Sequence, residues 1–200
     1  MTASLWILSA ILGLRHALEP DHMAAVATLV TGTRRPTAAA RLGASWGIGH
    51  GAALLAMATL LAIAQATVQP AAAAALELLV GVMLIALGGV RLAAALRATP
   101  APAHSHGTGR SFSVGIVHGL AGSGALVVLA AAQVPSTAGR LAFVATFGVG
   151  SIVGMVLLSG MAGGLLERLT KRPGVTMALC VGAGALSLVV GIAWLAMHAR

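Results

Sequence analysis

The segment "RHALEPDH", Arg15 to His22, places two histidines, two carboxylates, an arginine and a proline within an otherwise apolar run from Leu5 to Val30. Imidazole nitrogens beside carboxylate oxygens suit a borderline divalent cation such as nickel, cobalt or zinc, and the lack of a thiolate argues against copper(I). Pro20 has no amide hydrogen, so the carbonyl of His16 loses its helical partner and the helix should kink or open there. In an unbroken helix His16 and His22, six positions apart, point to different faces. A break at Pro20 lets both imidazoles and the Asp21 carboxylate converge on one ion.

The elements that must hold these groups are apolar. Of 200 residues, 58% are hydrophobic and 8% charged, and the mean hydropathy is +0.98. Soluble domains carry about 25% charged residues, so this chain belongs in a bilayer. A spanning helix needs roughly 20 mostly apolar residues. Six such stretches are predicted, at 4–32, 42–67, 71–96, 113–134, 141–166 and 174–197. The fold class is therefore an all-α integral membrane protein, read as a single membrane domain over 1–200. Its abundant Gly and Ala let helices approach closely in lipid. The first stretch lacks a basic n-region and continues past the polar interruption, unlike a signal peptide. Cys180 has no second cysteine to pair with, which excludes a dithiol electron carrier.

The formal charge of +8 does not point to nucleic acid, because the cations fall at helix ends without aromatic interleaving. They report orientation instead. Arg34, Arg35, Arg41, Arg91, Arg97, Arg110, Arg168, Lys171 and Arg172 mark one side, and Arg140 and Arg200 the other. Nine against two puts the first side in the cytoplasm and both termini outside a plasma (inner) membrane.

The two halves resemble each other. "GLRHALEPDHMAAVATLV" from Gly13 aligns with "GIVHGLAGSGALVVLAAA" from Gly115, so that Gly13 meets Gly115 and His16 meets His118 at an offset of 102. "WGIGH" (Trp46 to His50) meets "FGVGS" (Phe147 to Ser151) at 101, and Val80–Gly81 meets Val181–Gly182. The expectation is a duplication, with three-helix repeats at 4–97 and 113–197 and a cytoplasmic His-containing loop at 98–112. An odd number of helices per half makes the repeats inverted, and matched interruptions in inverted repeats point to a transport site near the midplane. Glu19-Pro20-Asp21-His22 in one half faces Ala121-Gly122-Ser123-Gly124 in the other.

Depth selects partners for the cluster. At about 1.5 Å per residue, His22 lies roughly 15 Å and His50 roughly 12 Å from the cytoplasmic face. Ionisable groups inside a membrane are functional candidates by default. The candidate metal residues are His16, Asp21, His22, His50, Glu19 and His118. Glu19 follows Arg15 by four residues, so it is read either as a salt-bridge partner or as a further ligand. His16 and His118 are expected on opposite sides of a central Asp21, His22 and His50 site, with His118 about 9 Å from the cytoplasmic start of its helix. His104 and His106 fall in the long loop, read either as a flexible linker or as a weak metal hand-off or sensing patch, which a longer His-rich tract would strengthen. Glu77, near the start of its helix, complements the helix dipole; Glu167 beside Arg168 is also read as structural.

The pattern His-x-x-x-x-Asp-His within "RHALEPDH" resembles the signature of the nickel/cobalt transporter family, and its Leu-Glu-Pro-Asp-His wording looks most like the short, urease-accessory, UreH-like branch. "GIGHGAAL" is similar to that family's Gly-His motif, and "VHGLAGSGAL" to the small-residue motif opening its second half. The chain is shorter than eight-helix members, and Glu19-Pro20 stands where those usually have Asp-Ala. The resemblance implies His16, Asp21, His22 and His50 as nickel or cobalt ligands or selectivity residues. It implies a transporter of these ions with no permanently bound cofactor; members of either direction share the site chemistry, and the short His-containing loop slightly favours uptake over efflux. Implied partners are the divalent cation, the bilayer and a cytoplasmic metallochaperone or urease-maturation protein, with no nucleic acid. Rival readings are an exporter of another small solute on a similar scaffold and the membrane subunit of an ATP-driven metal importer. No enzyme is expected. A metalloprotease would need His-Glu-x-x-His on an unbroken helix, and no hydrolase signature surrounds Ser123.

Overall fold

The computed structural model describes residues 3–31, 33, 35–64, 66, 69–97, 107–121, 131, 133–170 and 173–198. Among these it holds seven helices: α1 (Ala3–His16), α2 (Pro20–Val30), α3 (Pro36–Ala64), α4 (Pro70–Leu96), α5 (Thr108–Leu120), α6 (Thr137–Leu169) and α7 (Pro173–His198). Helices α3, α4, α6 and α7 are each long and apolar enough to cross a membrane. The polarity is inverted relative to a soluble domain. Ile63, Met161, Val189 and Leu60 are exposed, while Ser9, His22, His50, Ser111 and Ser187 are buried. Such a surface requires an apolar solvent.

The stretch expected as one helix over 4–32 is two, because α1 closes after His16 and α2 starts afresh at Pro20. Pro20 thus opens a helix rather than kinking one, a position where its missing N–H is harmless. The helix expected at 42–67 begins earlier, at Pro36, so Arg41 lies inside α3. The fourth expected helix begins at Thr108 instead of 113. Its continuation through Gly122, Ser123 and Gly124 lies outside the described residues, as do His104, His106, Arg34, Lys171, Arg172 and Arg200. Arg91, counted above with the cytoplasmic side, is buried in α4, and its Nη2 donates to the Cys180 sulfur of α7 at 3.0 Å. It therefore gives no information on orientation. Glu77 sits two turns into α4 and accepts from Trp194 Nε1 at 3.0 Å, so it ties α4 to α7 rather than capping a dipole.

Packing crosses between the halves. α1 lies on α6, α5 on α3, α3 on α6 and α4 on α7. Ser9 Oγ donates to the Phe143 carbonyl at 2.7 Å, and Ser111 Oγ to the Leu42 carbonyl at 2.7 Å. A Cβ on Gly13 would strike the backbone of Phe147 and Ser151; one on Gly115 would strike that of Trp46 and His50. Each pair of contacts is related by the offsets of 102 and 101 that align the two halves. Contacts also give direction. Gly43 meets Met155, Gly47 meets Ile152 and Gly51 meets Gly148, so α3 and α6 are antiparallel. Ser9 meets Phe143 and Ala17 meets Gly154, so α1 runs parallel to α6. Ser111 meets Leu42 and Gly119 meets Ala53, so α5 runs parallel to α3. It follows that α1 and α5 run in opposite directions.

At Gly115 an added methyl would meet the Trp46 carbonyl oxygen and the His50 amide of α3 as well as the Trp46 ring, and the backbone atoms cannot swing aside. Gly115→Ala should destabilise the protein by about 1–3 kcal/mol, the range for overpacked sites. Gly89, whose Cβ would meet nothing within 4 Å, should tolerate Gly89→Ala with a gain of up to about 1 kcal/mol. Thermal unfolding of both variants in detergent checks the pair; equal melting temperatures would contradict it.

Candidate metal centre

The junction between α1 and α2 is built by local hydrogen bonds. Leu18 N donates to the Arg15 carbonyl at 2.9 Å and Glu19 N to the His16 carbonyl at 3.0 Å, closing the last turn of α1. The carbonyl of His16, expected to lose its partner, is thus satisfied within this turn. Glu19 is extended, with φ −66° and ψ 148°, as a residue before proline prefers. Its carbonyl then accepts from Met23 N at 2.9 Å to start α2. The end of α1 presents His16 while the first turn of α2 presents Asp21 and His22. Ring centroids of His16 and His22 are 4.3 Å apart, the convergence expected of a broken helix.

His50, midway along α3, joins them. Its Nε2 lies 3.2 Å from His16 Nε2, and its ring is 5.3 Å from that of His22. His118, near the end of α5, has its ring 4.7 Å from that of His22. Its Nε2 is 3.5 Å from Asp21 Oδ2. His118 therefore lies within the cluster rather than at a distance from it, because α5 begins five residues before the expected start and carries His118 deeper. His16, Asp21, His22, His50 and His118 are all buried.

The two carboxylates orient two rings. Glu19 Oε2 is 3.1 Å from His16 Nδ1, and Asp21 Oδ1 is 3.1 Å from His22 Nδ1. With Nδ1–H directed at a carboxylate, Nε2 keeps its lone pair and points it elsewhere. Glu19 is half-exposed, and this contact makes it an orienting group for His16. Among the described residues His22 Nε2, His50 Nδ1 and His118 Nδ1 are buried without a hydrogen-bond partner, and His118 Nε2 comes no closer than 3.5 Å to Asp21 Oδ2. Buried imidazoles left in that state call for a ligand. Among the described residues there are two groups whose donor atoms all lie within 4.8 Å of one another, His16 with His22 and His50, and Asp21 with His22 and His118. Cys180 stands apart, held by Arg91.

Aromatic side chains form the walls. Trp46 stacks on His22 with centroids 5.3 Å apart and meets His118 edge-on at 5.6 Å; Phe147 lies 5.3 Å from His16. Neither was among the candidate residues. Both stand one turn before His50 and Ser151 in the aligned "WGIGH" and "FGVGS", so the repeat carried the signal that could have found them.

These features define a helical membrane protein with a buried histidine–carboxylate centre at a broken helix. The chain is 29% identical over 206 residues to urease accessory protein UreH of Bacillus sp. (strain TB-90), covering 94% of this chain and 89% of that one. The resemblance to the short UreH-like branch, read from the first motif, is borne out along nearly the whole chain. It is also 28% identical over 199 residues to chloroplast protein FOR GROWTH AND FERTILITY 1 of Arabidopsis thaliana, and 27% identical over 204 residues to FOR GROWTH AND FERTILITY 2. These alignments cover 84% and 90% of this chain, which spans 53% of the length of each chloroplast protein. No protein-family model and no solved structure matches the chain.

Glu19→Gln preserves volume but weakens the acceptor that orients His16. Nickel affinity of the purified protein should fall about tenfold, the low end for such orienting partners. Glu167→Gln, on the exposed end of α6, should leave it unchanged. Isothermal titration of both variants decides the role of Glu19, and an unaltered Glu19→Gln affinity would remove it.

Proposed function

We propose that the protein carries divalent nickel or cobalt across the plasma membrane, in the direction of uptake. The observation that carries this reading is the convergence of His50 and His118 on His22, with His22 Nε2, His50 Nδ1 and His118 Nδ1 buried and without a hydrogen-bond partner among the described residues. Hydrogen bonding alone leaves that set unsatisfied, whereas a cation ligated by nitrogen and carboxylate oxygen satisfies it. The similarity to a urease accessory protein and the nickel/cobalt-transporter wording of the first motif point the same way. On this reading the chain is not an enzyme, and a cytoplasmic metallochaperone or urease-maturation protein receives the ion.

The scaffold in this reading is six spans in two inverted three-helix repeats, with α1 and α2 together forming one broken span. Its support is the paired Ser9 and Ser111 bonds, the paired Gly13 and Gly115 approaches and the opposed directions of α1 and α5. Discontinuous helices at the interface of such repeats are where secondary transporters hold their ions.

Trace nickel and cobalt accumulation, in cells with and without the protein, tests the function. Accumulation should depend on the protein and fall at least about tenfold in Asp21→Asn and His22→Ala, with expression unchanged. A competing-ion panel separates metal from another solute: no metal-dependent accumulation, or wild-type accumulation in both variants, would sink the assignment.

Orientation has its own test. With Arg91 withdrawn from the count, Arg35, Arg41, Arg97, Arg110 and Arg168 still lie on the side read as cytoplasmic, and Arg140 opposite. A reporter fused after Arg200 should read as external and one inserted at Ser105 as cytoplasmic. The reverse pattern would invert the direction of uptake.

A further inference from the structure

We propose that the cluster is two overlapping cation sites that share His22, and that the transported ion passes from one to the other through this ring. The proposal rests on the metal-transport reading above.

His16 Nε2 and His50 Nε2 are 3.2 Å apart. Two metal–nitrogen bonds of about 2.1 Å, meeting at about 90–110°, span that distance. With His22 they make a site of three neutral imidazoles. On the other side Asp21 Oδ2 and His118 Nε2 are 3.5 Å apart, and with His22 they make a site of two imidazoles and a carboxylate. His22 is the one residue common to both groups of donors. Its Nδ1 faces Asp21 at 3.1 Å, and its Nε2, on the opposite edge of the ring, is buried without a partner among the described residues. With its proton on Nδ1, donated to Asp21, the ring offers Nε2 to the three-histidine site; with the proton on Nε2 it offers Nδ1 to the Asp21 site. Passage of the ion is therefore accompanied by transfer of that one proton between the two ring nitrogens, and neither site is complete without His22.

The two sites differ in charge. Asp21 would ligate directly and compensate half of a dication's charge, whereas the carboxylate beside the three-histidine site, Glu19, reaches it only through His16. The first site is the deeper well and the second the shallower. Two dications about 5 Å apart would repel strongly in this environment, so one ion at a time occupies the pair. Conduction needs a path on which an ion is held well enough to enter and loosely enough to leave, which unequal neighbouring sites provide. The helices also divide accordingly. His50 comes from α3 and His118 from α5, while His22 at the start of α2 can serve either with a small displacement.

The test uses the purified full-length chain, cobalt(II) as the probe, and three readouts on each preparation: binding stoichiometry with the visible cobalt spectrum, melting temperature, and flux into liposomes. Wild type should bind one cobalt. His118→Ala and His50→Ala should each still bind one, with visible spectra that differ from each other because the remaining ligands differ. Each should lose flux by about tenfold or more, the scale on which a disturbed metal shell acts. His22→Ala should bind none. Where an alanine variant melts early, His118→Gln or His50→Gln preserves volume and polarity and takes its place with the same expectation. Wild-type flux in either the His50 or the His118 variant would overturn the relay. So would loss of all binding in either variant at an unchanged melting temperature, since that describes a single indivisible site. A wild-type protein that binds no cobalt or nickel would instead remove the transport reading itself, and the two failures are distinct.

Discussion

The structure depends on one interruption, the three residues between His16 and Pro20 where one helix stops and another starts. Within a bilayer every backbone group must be satisfied internally, so such a break survives only where protein covers it. Here the turn bonds of Leu18 and Glu19 satisfy the end of α1, and the extended Glu19 with Pro20 removes the first orphan donor of α2. What the break yields is geometric. Two residues that an unbroken helix would separate now face each other across 4.3 Å, and the start of α2 supplies a carboxylate at its favourable end.

The surrounding helices serve that geometry. Glycines at 13, 115 and 119 allow α1 and α5 to lie backbone to backbone on α6 and α3, which brings His50 and His118 within reach. Serine hydroxyls fix the same crossings through bonds to carbonyls that are already engaged in a helix. The apolar exterior of Ile63, Met161 and Val189 leaves polar groups a single destination, the interior. Trp46 and Phe147 close the cluster off with flat aromatic faces that add no competing donors toward an ion beyond the indole N–H.

Much of this was legible from residue types and spacing. Proline in an apolar run announces a break, and the helical period says which residues a break can bring together. The alignment of the two halves singled out His118 beside His16, and depth singled out His50. The misreadings share a cause. Arg91 counts toward orientation because a cation near a helix end ordinarily reaches the membrane face, and only tertiary packing supplies the Cys180 sulfur that holds it inside. Glu77 was assigned to a helix dipole for its position, while its partner Trp194 lies 117 residues away. Spacing left Glu19 open between a salt bridge and a ligand, and its contact with His16 depends on how the chain turns after α1, which spacing does not encode. His118 was set too far from the cluster by a helix start misplaced by five residues.

The crossed packing has a consequence for how the chain is made. Ser9 finds its acceptor 134 residues later, and the carbonyl of Leu42 waits 69 residues for Ser111. During synthesis, α1 through α4 leave the ribosome before α5 and α6 exist, so the first half enters the membrane with its polar groups bared and its glycine grooves unfilled. His16, Asp21 and His22 must be tolerated in that interval by the insertion machinery, by water defects or by lipid headgroups. The crossings that Ser9 and Ser111 hold are therefore completed only once both halves of the chain are present.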